Sequence, residues 1–146
     1  MSFPRQSHYR FRRRVNFYEV DSVGIVHFTH YFRYMEEAEH ALWREAGLSI
    51  ASPDVTVGFP RVSAAFEYRQ VLRFEEEFEV LIRITDITPM TMSYACRIMR
   101  GDTLIAGSTM TIACVNKRDR PWKMVPIPSE IAARFEVAEE SDGRRS

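Results

Sequence analysis

Hydrophobic and polar residues alternate near the start of the chain and again through its second half, with one helical pattern between. From His8 to Tyr18, Tyr9, Phe11, Val15 and Phe17 fall on one side and Arg10, Arg12, Arg14 and Asn16 on the other. This predicts a half-buried strand, with Arg13 as the exception on its apolar side. Over 30–46, Tyr31, Tyr34, Met35, Ala38, Ala41, Leu42 and Ala46 recur at three- and four-residue intervals, forming one broad apolar helix stripe. Gly47 suits the left-handed residue that closes such a helix. After the loop LSIASPDVTVG come four strand-like segments, 59–69, 77–87, 91–100 and 103–115, the last two joined at a Gly101-Asp102 turn. A proline-rich connector leads to SEIAARFEV, a short helix with Ser129 as its N-cap, and AEESDGRRS (138–146) reads as a flexible tail.

One strand, one helix and four strands make an α+β protein, with an antiparallel five-stranded sheet against the helix. The helix is apolar over most of its circumference, which points to a hotdog fold: one sheet wrapped around a long central helix. A single domain spans 1–137. The other helix face carries Phe32, Glu36, Glu39 and Trp43, too greasy for solvent and too charged for a core, so it is expected at a subunit interface.

Composition narrows the partners. With 45% hydrophobic and 27% charged residues over 146 positions, the chain has the make-up of an ordinary globular domain. Its formal net charge is zero, which argues against nucleic acid. No apolar run approaches the ~20 residues of a membrane span, and the basic N-terminus has no apolar segment behind it to act as a secretory signal. Cys96 is expected opposite Gly107 and Cys114 near Pro89, roughly 23 Å apart at strand rise and too far for a disulfide. Reduced cysteines predict a cytoplasmic protein.

Candidate chemistry concentrates at residues 19–31. Asp21 ends the first strand, Gly24 lets the backbone turn, and the helix begins just beyond. The free amides at a helix start polarise a carbonyl placed on them and stabilise an oxyanion. A carboxylate opposite can attack that carbonyl or activate water. The same aspartate also suits an Asx-turn or a cap, and the two readings remain open on the residues alone. HExxH, CxxC, GxSxG and P-loop motifs are absent.

Asp21, Gly24, Ile25-Val26 and Tyr31 resemble the signature of the 4-hydroxybenzoyl-CoA thioesterase family of hotdog acyl-CoA thioesterases. Glu36 matches an acidic residue of the family helix, and EYRQVLRFEEEFEV and VPIPSEIAARF resemble its later segments. The resemblance implies an acyl-CoA thioesterase with Asp21 as nucleophile or base, no cofactor, no metal, and a dimer or tetramer with sites at subunit interfaces. Phe28 stands where the family has His or Tyr, so only its amide is available as the implied oxyanion donor. VGIVHF followed by Tyr31 is also similar to hotdog thioesterases of enediyne polyketide pathways, which carry Asn at the position of Asp21. Release of a chain from an acyl carrier protein is therefore one alternative, and a non-catalytic acyl-CoA-binding protein another. A hydratase would need His at Val26.

Around Asp21, His27 and His30 flank the helix start and could line the pocket or assist a water. Glu36 is placed to position water or to bond within an interface. Gly24, Ile25, Val26, Tyr31 and Phe59 are expected to wall the substrate pocket. Arg61, Arg69, Arg73 and Arg118 are candidates for the CoA phosphates. His40 is expected at the surface, and Trp43 and Trp122 in packing.

Overall fold

The computed structural model describes residues 4–139. Strands β1 (His8–Arg14), β3 (Arg61–Tyr68), β4 (Glu77–Ile87), β5 (Thr91–Arg100) and β6 (Thr103–Ala113) form one antiparallel sheet in the order β1-β4-β5-β6-β3. Two-residue strands β2 (Val57–Gly58) and β7 (Val115–Asn116) pair separately. Helix α1 (His30–Glu45) has 16 residues and ends as expected at Gly47, whose φ is 79°. Met35, Ala38 and Leu42 of α1 and Val80, Ile84, Ile98, Ile105 and Ile112 of the sheet are fully buried in one core. No helix among the described residues is long and apolar enough to cross a membrane.

Several boundaries differ from the sequence pattern, each for a local reason. The first strand stops at Arg14, and Phe17–Glu19 curls into a 3-10 turn because the Asn16 amide donates to Glu19 Oε1 at 2.8 Å. Phe17 is consequently exposed rather than inward. The segment expected at 59–69 pairs only from Arg61 to Tyr68, because Pro60 cannot donate to a ladder, and Val57–Gly58, expected in the loop before it, forms β2. The terminal helix α2 is one turn, Ser129–Ala132, and its cap position falls on Pro128, not Ser129. The chain then straightens because Phe135 enters the core and the Glu136 amide bonds to Gln6 at 3.1 Å. Ala138, assigned to the tail, is buried and its amide bonds to Ile84; 140–146 lie outside the described residues.

The β5–β6 hairpin carries a bulge. Met99 pairs with Leu104 but Ile98 pairs with Ala106, leaving Ile105 as an extra residue. Cys96 therefore faces Ser108, one position beyond the expected Gly107; both cysteines are buried and free. The Ile105 carbonyl accepts two amides, Arg69 at 2.8 Å and Gln70 at 3.1 Å, which ends β3 at Tyr68.

The proposed interface face of α1 needs correction. Trp43 and Glu39 are buried within the subunit, whereas Phe32 and Glu36 keep substantial exposure. Trp43 packs on Phe59 and Phe135, and its indole N–H donates to the Tyr94 hydroxyl at 2.9 Å.

Candidate active site

Residues 20–26 reverse direction in a tight hairpin, with Val20 bridged to Val26 and the Asp21 amide bonded to the Ile25 carbonyl at 2.9 Å. Gly24 adopts φ 90°, a left-handed conformation that side chains resist, although the space around it is open. Its amide donates to the Asp21 carbonyl at 3.0 Å. Asp21 Oδ1 accepts the amides of Val23 at 2.9 Å and Ile25 at 3.4 Å. The Asx-turn is thus present, and the two readings of Asp21 are compatible. Oδ1 holds the turn, while Oδ2 has no hydrogen bond among the described residues and the side chain is exposed.

The return arm carries the hairpin to α1. The Val26 amide bonds to Leu72 at 2.8 Å, Ile25 bridges Arg73, and the His27 amide bonds to the Glu19 carbonyl at 3.0 Å. At the helix start, the His30 amide turns back to His27 and the Tyr31 amide to Phe28. The Phe28 amide has no acceptor among the described residues. The Phe28 carbonyl accepts the Tyr68 hydroxyl at 3.0 Å, so β3 reaches the hairpin directly.

The neighbouring side chains are largely committed. The His27 ring lies on Phe28, and its Nδ1 bonds to the Thr29 hydroxyl at 2.8 Å. His30 Nδ1 is buried and has no hydrogen-bond partner among the described residues. Tyr31 is buried among Tyr34, Phe66 and Tyr68, and burial pushes its phenol above the usual range. Tyr68 and Phe66 were missed as site residues, because nothing in an alternating strand marks which end meets a turn.

The remaining sequence candidates fall elsewhere. Glu36 lies six residues past His30, about 9 Å along the helix. Arg61 is already paired, at 3.3 Å to Glu36 and 2.7 Å to Glu39, and lines a cleft with Glu36, Phe59, Lys117 and His40. His40 is half-buried, not at the surface, and burial lowers its imidazole. Arg69 lies on a separate cleft with Ala65, Arg97 and Gly107, 3.6 Å from Glu67. Arg73 and Arg118 are exposed.

Glu39 itself went unnoticed in the sequence as a buried acid. It has no exposed surface and its Oε2 has no hydrogen-bond partner among the described residues; burial pushes its carboxyl up to about 7, against the pull of Arg61. Between the ordinary glutamate value of 4.5 and about 7, the folded protein keeps a proton that the unfolded chain releases. Stability due to Glu39 should therefore fall as pH rises through that window and stay level above it. Urea unfolding across pH should show wild type losing ground to Glu39→Gln between those limits and not beyond.

A five-stranded antiparallel sheet with this helix, preceded by the glycine hairpin that carries Asp21, is the architecture of a hotdog protein. Residues 15–135 match the family model of the Thioesterase-like superfamily, and the chain belongs to that family as a thioester hydrolase. A relative from Aquifex aeolicus with the provisional name of an esterase is 33% identical over 122 residues, 83% of this chain and 92% of its own. A crystal structure of a hypothetical protein from the same organism aligns with TM-score 0.81 and 29% identity, over 88% of this chain and 99% of that one. A gentisyl-coenzyme A thioesterase shares the fold at TM-score 0.76 and 24% identity, over 85% and 99%.

Proposed function

We propose that the protein hydrolyses acyl-CoA thioesters at Asp21. The observation that carries this reading is one hairpin presenting an uncommitted carboxylate oxygen on one arm and the unpartnered Phe28 amide at the end of the other. The thioester carbonyl oxygen accepts the Phe28 N–H, which stabilises the charge that develops there. Asp21 either takes a proton from an attacking water or attacks the carbonyl carbon itself, forming an anhydride that water then opens. In both routes the C–S bond breaks, water supplies the acid's new oxygen, and the thiolate is protonated to the CoA thiol. With a pKa like that of cysteine, about 8.5, this thiolate leaves without a strong acid. The side chain of Phe28 takes no part.

Thiol release from a panel of aryl, short-chain and long-chain acyl-CoAs tests this reading. Turnover of at least one class by the purified protein is expected. Hydrolysis of acylated carrier protein alone, with no free acyl-CoA turned over, would replace CoA with a carrier as the substrate.

In this reading α1 is the central helix of the fold, and a second copy completes the site. β3 is an open sheet edge exposed along nearly its whole length, with Val62 59% exposed. It ends in the exposed ring of Tyr68, and beside it lie those of Phe28 and Phe32. An uncovered edge with aromatic neighbours is a pairing surface. Sedimentation at micromolar concentration should show a dimer or tetramer; a fully active monomer would remove the partner from the site. The same reading places the enzyme in the cytoplasm.

A further inference from the structure

Arg13 is the residue that broke the alternation of β1, and its surroundings give it a use. Its side chain is only 13% exposed, yet the guanidinium meets two carboxylates. Nη2 lies 2.6 Å from Glu19 Oε2, Nη1 donates to Glu19 Oε1 at 2.8 Å, and Nε donates to Glu37 Oε1 at 2.6 Å. Glu19 is 2% exposed, and its Oε1 also accepts the Tyr34 hydroxyl at 2.9 Å and the Asn16 amide at 2.8 Å. The Arg13 cation lies 4.7 Å over the Tyr34 ring.

A buried ion pair is an inefficient way to gain stability, because the desolvation of both charges offsets their attraction. A hydrogen-bonded network does fix geometry, and this one sits at the root of the hairpin. Glu19 precedes Asp21 by two residues. Its carbonyl accepts the His27 amide, the residue before Phe28. Glu19 therefore ties its own arm to β1 and α1 through its side chain, and holds the returning arm through its backbone carbonyl. Burial alone would raise the Glu19 carboxyl, but Arg13, the Asn16 amide and the Tyr34 hydroxyl outweigh it and hold it below the usual range.

We infer that Glu19, clamped by Arg13 and Tyr34, is a positioning residue that fixes Asp21 relative to the Phe28 amide. The inference rests on Asp21 being the reacting carboxylate. Misplacement of a reacting group by about 1 Å can cost on the order of 10²-fold in rate.

The test is a double-mutant cycle measured on acyl-CoA hydrolysis. Glu19→Gln keeps the shape and removes the charge that grips Arg13. It should lower kcat about 10- to 100-fold with KM within about threefold. In an Asp21→Asn background the same change should cost less than about threefold, because there is no longer a carboxylate to place. Tyr34→Phe keeps the ring under Arg13 and removes one hydroxyl; a smaller loss with the same dependence on Asp21 carries the test if Glu19→Gln fails to fold. Equal losses in both backgrounds, or an unchanged kcat, would overturn the positioning role. Asp21→Asn running at the wild-type rate would instead overturn the reading beneath it.

Discussion

Replacing Asp21 with Asn should lower kcat for thioester hydrolysis by at least ~10²-fold, the lower end expected when a general base or nucleophile is lost. The substitution conserves shape, and Asn can still accept the Val23 amide that Oδ1 holds at 2.9 Å, so the turn should survive. What disappears is the negative charge on the outer oxygen. Because the Phe28 amide is untouched, substrate should still bind, and the loss should appear in kcat rather than KM. Single-turnover kinetics with an acyl-CoA would separate the chemical step from product release. Activity within a fewfold of wild type would end the Asp21 mechanism and turn attention to Glu36 and His27. The structure makes both harder to recruit, since Arg61 holds Glu36 and Thr29 holds the His27 ring.

Trp43→Ala should cost about 3–5 kcal/mol of stability, the range for deleting a large buried aromatic. The indole is 1% exposed, and Phe59 and Phe135 each lie 5.0 Å away between ring centroids. Its removal would open a cavity between α1, the chain before β3 and the C-terminal segment. It would also deprive the buried Tyr94 hydroxyl of a donor. Trp43→Phe keeps most of the volume and should isolate the lost hydrogen bond, at about 1 kcal/mol. Urea unfolding of both variants gives the numbers. A change below about 1 kcal/mol for Trp43→Ala, together with dissociation of the oligomer, would return this side chain to an interface.

The sequence revealed what periodicity encodes and hid what depends on distant partners. The α1 stripe and the alternation in β4 and β5 set their boundaries nearly to the residue, because one buried face dictates each pattern. Asp21 and Gly24 stood out because the turn linking them is local, and Phe28 because the family resemblance marked its position. Arg13 stood out only as a break in the alternation, and Glu19 and Glu39 not as buried acids, since a buried charge is meaningful only once its counterpart is known, and Arg61 lies 22 residues from Glu39. Trp43 proved a packing residue, and only its place on an interface face failed, for the same reason: spacing along a helix cannot tell a partner subunit from a C-terminal segment folding back. The end of the first strand was lost because the Asn16–Glu19 cap competed with an alternation that ran on past it.

The extra residue in β6 reaches further than its own hairpin. Ile105, pushed out of the ladder, offers one carbonyl to both the Arg69 and Gln70 amides. That contact sets where β3 stops, and Tyr68, its last residue, holds the Phe28 carbonyl. Changes in the length of the β5–β6 hairpin are therefore not neutral, even though its Gly101-Asp102 tip is exposed. Losing one residue would restore an unbroken ladder and change which side chain of β3 arrives at the turn that carries Phe28. Along a lineage, insertions and deletions in that hairpin would have to be matched by substitutions at residues 66–70.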